Sequence, residues 1–252
     1  LHQAGELVSL LSQYGAEALL YPCIAIVPPE DTRQLDNAAW EMANGVFDWL
    51  VLTSANAVMI LSQRLATTGL MLPPDLALAC VGPATAEAAQ RLLGIQARAI
   101  PEEYVAEALV ELIRPALPAR VLVLQAEKAR PVLREKLSAA GAIVTALTAY
   151  CTVQGESGVH LSTLLKTRQV DAITFTSAST VENCVRRLQA EGADLSLLTH
   201  VCLACIGPIT ARTVVAAGLV VGVMPAEHTI EGLVEALEAY FRSLAKGHPL
   251  YV

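Results

Sequence analysis

The residues with the most chemical promise in this chain are hydroxyls and cations placed where strands hand over to helices. Ser54 and Ser177 each close an apolar run that ends in Thr-Ser, and each opens a helical pattern, the position of an N-cap. Three residues on stand Ala57 and Thr180 rather than Glu or Gln. No capping box is therefore expected, and the first-turn N–H groups should stay available to an outside acceptor. Gly82-Pro83 and Gly207-Pro208 place Gly at a turn and Pro at the first helical position, which puts Thr85 and Thr210 on the first turn. Lys128 and Arg130 follow the strand ending at Gln125, and Arg212 follows Thr210. Amides, hydroxyls and cations gathered at strand ends suit a polyanion. Taken one at a time they suit plain structure as well: a capped helix for each hydroxyl, a solvated loop for Lys128 and Arg130, a solvated helix face for Arg212.

Other catalytic constellations are absent from the sequence. There is no GxSxG, HExxH, Walker loop or GxGxxG. His2, His160, His200, His228 and His248 are scattered and read as surface or turn residues. Six cysteines, Cys23, Cys80, Cys151, Cys184, Cys202 and Cys205, do not make a secreted disulfide framework in a chain of 252 residues. Cys202 and Cys205 form a CxxC, but they lie in a strand-like run where residues three apart face opposite sides, and no second pair completes a zinc set. Cysteines used as small hydrophobes point to a reducing, cytoplasmic compartment.

The elements that must position these groups follow from composition and pattern. Hydrophobic residues make up 54% and charged residues 16%, so a large core is expected; with aromatics at 4%, it must be built from Ala, Val, Leu and Ile. Runs of four to six apolar residues, such as 48–52, 77–81, 172–175 and 201–206, read as strands buried on both faces. Periodic segments such as 55–66 and 181–191 read as the helices that cover them. The expected fold is α/β, an open doubly wound parallel sheet whose ligands bind beyond the carboxyl ends of the strands. A formal net charge of −7 argues against nucleic acid and anionic membranes, and no apolar run of about 18 residues could span a bilayer.

The chain also matches itself. Residues 47–55 align with 170–178, 79–86 with 204–211, 101–111 with 225–235, and 15–18 with 141–144, in one order and at offsets of 123 to 126. This reads as a duplicated α/β unit. In the second copy a strand, 120–125, precedes the helix at 131–140, whereas Leu1 opens directly in the equivalent helix, so a first strand is expected to be missing from the first copy. One asymmetry carries chemistry. Residues 149–153 align with 23–27, so Tyr150 stands where the other copy has Ile24. The phenol either packs and bonds locally or is a single proton donor in a symmetric scaffold.

These residues resemble the uroporphyrinogen-III synthase family along essentially the whole chain. The most specific parts are 47–58, Thr176-Ser-Ala with Val181 and Glu182, Ile206-Gly-Pro-Ile-Thr-Ala-Arg212, and the Tyr150 segment. The resemblance implies two similar doubly wound domains joined by a two-stranded antiparallel ladder. It moves the boundary from 115–118, where the repeats alone put it, to a discontinuous arrangement: 1–23 plus 154–252 as one domain and 24–153 as the inserted one. It implies a lyase that cyclises hydroxymethylbilane to uroporphyrinogen III with loss of water and inversion of the last ring. Such a reaction needs a proton for the leaving group, a folded substrate and protection from spontaneous closure.

Tyr150 matches the family's proposed proton donor, and Ser54, Thr85, Ser177, Thr210 and Arg130 match positions around its cleft. Gln125 departs from the pattern, standing where many members have Arg, and the Thr-Arg that commonly follows the first strand is absent. Lys128 joins the expected substrate contacts from its loop. The expected partner is the small-molecule substrate alone, with no cofactor, metal, nucleic acid or membrane, and the expected state is a cytoplasmic monomer. An acidic protein can hold a substrate of eight carboxylates only through local donors, not through its net field. The rival reading is a non-catalytic two-domain protein that closes on a small anion.

Overall fold

Short apolar runs bounded by Thr-Ser or Gly-Pro become strands here, and the Ala-rich periodic stretches between them become helices. The structure, a computed structural model, describes residues 2–103 and 106–245. His248 lies outside the described residues. In chain order the elements are α1 (His2–Gln13), β1 (Ile24–Val27), α2 (Arg33–Ala43), β2 (Trp49–Leu52), α3 (Ala55–Thr68), β3 (Ala77–Cys80), α4 (Pro83–Leu93), α5 (Ala106–Ile113), β4 (Arg120–Ala126), α6 (Val132–Ala139) and β5 (Ile143–Gln154). Then come α7 (Leu161–Lys166), β6 (Ala172–Phe175), α8 (Ala178–Ala190), β7 (Cys202–Cys205), α9 (Pro208–Ala216) and α10 (Ile230–Ala245). The chain divides into two compact units, Ile26–Val153 and Leu1–Ala25 with Gln154–Val252. Among the described residues, no helix is long and apolar enough to cross a membrane.

In Ile26–Val153 the sheet has five strands in the order β1-β5-β4-β2-β3, and β3, β2, β4 and β5 run parallel. Alternation along the central strands sorts the core into two layers. Leu50, Leu52, Leu122 and Leu124 pack with Leu35, Met42, Ile60 and Leu61 from α2 and α3. Val51, Val121 and Val123 point the other way, onto Leu109, Ile113, Leu133 and Leu137 from α5 and α6. A strand sealed on both faces has no use for a polar residue, which is why these runs are continuously apolar.

The other unit is built around a smaller sheet. Among the described residues β6 and β7 alone form its ladder, in parallel, with an isolated bridge from Ala204 to Val223. This is less than the full doubly wound sheet expected in this half. Leu203 and Cys205 face Phe175, Val181, Leu188 and Val214, while Cys202 and Ala204 face Val223, Leu233 and Leu237. The CxxC thiols therefore lie on opposite faces, and burial pushes both up to about 11.

The same backbone bonds recur in both units. Ala77 and Cys202 donate to the carbonyls of Asp48 and Asp171; Val81 and Ile206 donate to those of Leu52 and Phe175. Cys80 and Cys205 donate to those of Ala99 and Val223, both at 2.9 Å.

A buried cation organises the smaller unit. Arg187, 3% exposed, stacks its guanidinium 3.9 Å from the centre of the Tyr21 ring and bonds Glu191 at 3.0 Å. It also donates to the carbonyls of Pro22 and Ser157, so it holds the chain at 20–23 against the chain at 155–159. Gly155 and Gly158 permit that approach, because a Cβ at either would run into the carbonyl of Pro22 or Leu20. An arginine whose fork is this fully used cannot be removed without stranding its partners. Arg187→Ala should lower stability by about 3 kcal/mol in urea unfolding; an unchanged midpoint would mean that the clamp contributes nothing.

Candidate active site

Register assembles the site before any side chain is considered. Leu52 is level with Cys80 on one side and Leu124 on the other. Two residues further along lie Ser54, Gly82 and Ala126, and Ala126 is paired with Tyr150. The carboxyl edge of the sheet thus carries Gly82, Ser54, Ala126 and Tyr150 in one row, in the strand order β3, β2, β4, β5.

Tyr150 owes its side of the sheet to a bulge. Gln125 pairs with Thr148, but Ala126 pairs with Tyr150, so Ala149 has no opposite residue. Before the bulge, Val144 and Ala146 pack with the α5–α6 layer and Leu147 with the other. Strict alternation would send residue 150 to the α5–α6 side. The extra residue turns it back, and both Ala149 and Tyr150 join the layer that includes α3. There the phenol, 9% exposed, accepts a hydrogen bond from Ser54 Oγ at 3.2 Å. The backbone N–H of Glu127 holds the Tyr150 carbonyl at 2.9 Å.

The helix starts differ from one another. Ser54 is extended (φ −160°, ψ 158°), and its Oγ accepts the N–H of Ala57 at 3.2 Å. Ser177 adopts the same backbone, but a capping box is present there, contrary to expectation. Its Oγ accepts from the Thr180 N–H while Thr180 Oγ1 accepts from the Ser177 N–H, each at 3.2 Å. A threonine hydroxyl at this position does what a Glu or Gln would do, so the amides of that turn are less open than the sequence implied. Gly82 and Gly207 give no side-chain cap to α4 and α9, and Pro follows each. Thr85 and Thr210 are 6% and 3% exposed. Neither hydroxyl has a hydrogen-bond partner among the described residues. Since no fully enclosed side-chain oxygen among the described residues lacks a partner, each hydroxyl keeps an opening to solvent.

Lys128 and Arg130 sit exposed in the turn after β4, one strand from Ser54, and neither enters an ion pair among the described residues. Arg212 is likewise exposed and unpaired. Tyr150, Ser54, Thr85, Lys128 and Arg130 thus share one edge of one unit. Ser177 and Thr210 stand at the corresponding strand ends of the other, after Phe175 and Cys205, which are paired. Sequence reasoning missed Ala126, whose small side chain is the β4 residue on the level of Tyr150. Nothing in the local sequence of Ala126 marks it. His228, read as a surface or turn residue, is exposed, and its ring lies beside Gly207 at the start of α9.

A parallel α/β sheet with hydroxyls and cations along its carboxyl edge, and no nucleophile or dinucleotide loop among them, defines a ligand-handling α/β protein. The family profile described as "Uroporphyrinogen-III synthase HemD" matches residues 5–235. The uroporphyrinogen-III synthase of Synechococcus elongatus is 35% identical over 250 residues, covering 95% of this chain and 92% of that one. The chain belongs to the uroporphyrinogen-III synthase family, whose place is in tetrapyrrole biosynthesis. Two solved structures share its fold. A mutant uroporphyrinogen III synthase from Thermus thermophilus has 23% identity and a TM-score of 0.50, covering 98% of this chain and 96% of its own. The uroporphyrinogen-III synthetase of Helicobacter pylori has 18% identity and a TM-score of 0.50, with 86% and 90% covered.

If the Thr85 and Thr210 hydroxyls serve a ligand and not the fold, Thr85→Val and Thr210→Val should melt no lower than the parent. A loss of about 1 kcal/mol in either would reveal a structural hydrogen bond instead.

Proposed function

We propose that this chain cyclises hydroxymethylbilane to uroporphyrinogen III, with Tyr150 as the general acid. The observation that carries the assignment is the position of the phenol: turned by a bulge to the α3 side, level with the strand ends, and held by Ser54. Tyr150 gives its proton to the terminal hydroxyl of the substrate. The C–O bond breaks, its electron pair stays with oxygen, and water leaves. The lone pair of the pyrrole nitrogen supports the resulting cation as an azafulvene. The substituted α-carbon of the last ring attacks that cation and forms a spiro centre. The bond from this carbon to its original methylene then breaks, and the unsubstituted α-carbon of the inverted ring closes the macrocycle. Its proton returns to the phenolate, so acid and pyrrole are both restored.

Each unit offers its own contacts for the carboxylates of the substrate. Lys128 and Arg130, in no ion pair among the described residues, suit carboxylates, as does Thr85 at a helix start without a side-chain cap; in the other unit Thr210 is suited in the same way. Ser177 contributes through a turn already satisfied by its own box, so its share is smaller. In this reading the two units are duplicated domains, 24–153 inserted between 1–23 and 154–252. The recurring bonds at Asp48 and Asp171, Leu52 and Phe175, and Ala99 and Val223 support the duplication. The enzyme works as a cytoplasmic monomer and needs only its substrate.

Supplied with hydroxymethylbilane, the protein should yield mainly the III isomer of uroporphyrinogen; isomer I alone, at the spontaneous rate, would refute the assignment. Tyr150→Phe should lower kcat about 100-fold while leaving measurable turnover, since positioning survives the loss of the acid. Parental kcat in a correctly folded Tyr150→Phe would remove Tyr150 from the chemistry.

A further inference from the structure

We infer that Ser54 acts on the reaction through Tyr150, as the positioning residue that aims its proton and receives the charge left behind, and not as a substrate contact. This rests on the reading of Tyr150 as the acid. The hydrogen bonds run in one direction. The Ala57 N–H donates to Ser54 Oγ at 3.2 Å, and Ser54 Oγ donates to the Tyr150 phenol oxygen at 3.2 Å. With a lone pair occupied by Ser54, the phenol must send its own proton elsewhere, and it donates to no group among the described residues. That O–H is left for an acceptor from outside. Ser54 has no second proton with which to bind a carboxylate.

After proton transfer the same contact changes character. An O–H aimed at a phenolate is charge-assisted, shorter and stronger than one aimed at a phenol. Ser54 is polarised in turn by an amide at the N-terminal end of α3, a helix of 14 residues whose positive end faces the developing charge. Both donors are in place before the reaction, so the stabilisation costs no reorganisation when the charge appears. The arrangement depends on Ser54 keeping its extended N-cap backbone (φ −160°), which directs Oγ toward both partners.

Steady-state kinetics with hydroxymethylbilane separates this role from capping and from binding. Ser54→Gly suits the N-cap but lacks the donor; Ser54→Thr keeps both. The expected result is a kcat about 10- to 100-fold lower for Ser54→Gly, with KM within about twofold of the parent, and near-complete recovery in Ser54→Thr. Tyr150→Phe combined with Ser54→Gly should be no slower than Tyr150→Phe alone, because the donor has nothing left to serve. Two outcomes would overturn the inference: a raised KM with kcat intact, which is the mark of a carboxylate contact, or the same fold-loss in the Tyr150→Phe background as in the parent. Should Ser54→Gly fail to fold, Ser54→Ala carries the same comparison. Tyr150→Phe at parental rate would sink the reading of the acid itself, whereas a slow Tyr150→Phe beside an unimpaired Ser54→Gly would sink only the role of Ser54.

Discussion

Between Thr148 and Tyr150, β5 carries one residue that has no partner on β4, and the face on which the phenol emerges depends on it. In a regular ladder a shift of one residue moves a side chain from one layer of the core to the other. Without Ala149 as the extra residue, Tyr150 would point into the α5–α6 layer, away from Ser54. With it, the ring lies toward α3 and reaches Ser54, the residue that caps α3 just past β2, although β4 runs between β5 and β2. Neighbouring strands are about 4.8 Å apart, so the contact spans roughly twice that distance between backbones. The β4 residue at that level is Ala126, small enough to let the ring cross.

Much of this was legible in the sequence, for physical reasons that can be named. Runs such as Leu50-Val-Leu52 and Val121-Leu-Val-Leu124 are apolar because helices cover both faces, so strand positions and the α/β class follow from them. The Thr-Ser and Gly-Pro punctuation located Ser54, Ser177, Thr85 and Thr210 at helix starts, since those types satisfy or leave open the first amides. The bulge was not legible: pairing partners on another strand create it, and Ala149 looks like any strand alanine. The capping box at Ser177 was missed for a different reason, because the usual pattern asks for Glu or Gln where Thr180 supplies a hydroxyl. The short β6–β7 ladder of the smaller unit could not be inferred from strands that occupy the same places in the repeat as β2 and β3.

The two kinds of cation show how an acidic chain can serve an anionic ligand. Arg187 is buried, and its guanidinium is spent on Tyr21, Glu191 and two carbonyls. Lys128 and Arg130 are exposed beside the strand-end row and enter no ion pair among the described residues. Buried charge in this fold is structural and satisfied, while charge available to a ligand stands on a loop over a rigid sheet. A formal net charge of −7 then matters little at contact distance, where a few oriented donors outweigh the screened field of the whole.

The central claim is that Tyr150 protonates the departing hydroxyl, and a change of leaving group tests it most directly. A bilane whose hydroxyl is replaced by an amine, already protonated at neutral pH, needs no acid to depart. If the claim holds, the gap in kcat between the parent and Tyr150→Phe, about 100-fold with the hydroxyl substrate, should nearly vanish with the aminomethyl one. An equal gap on both substrates would contradict it, and would leave Tyr150 a part of the scaffold.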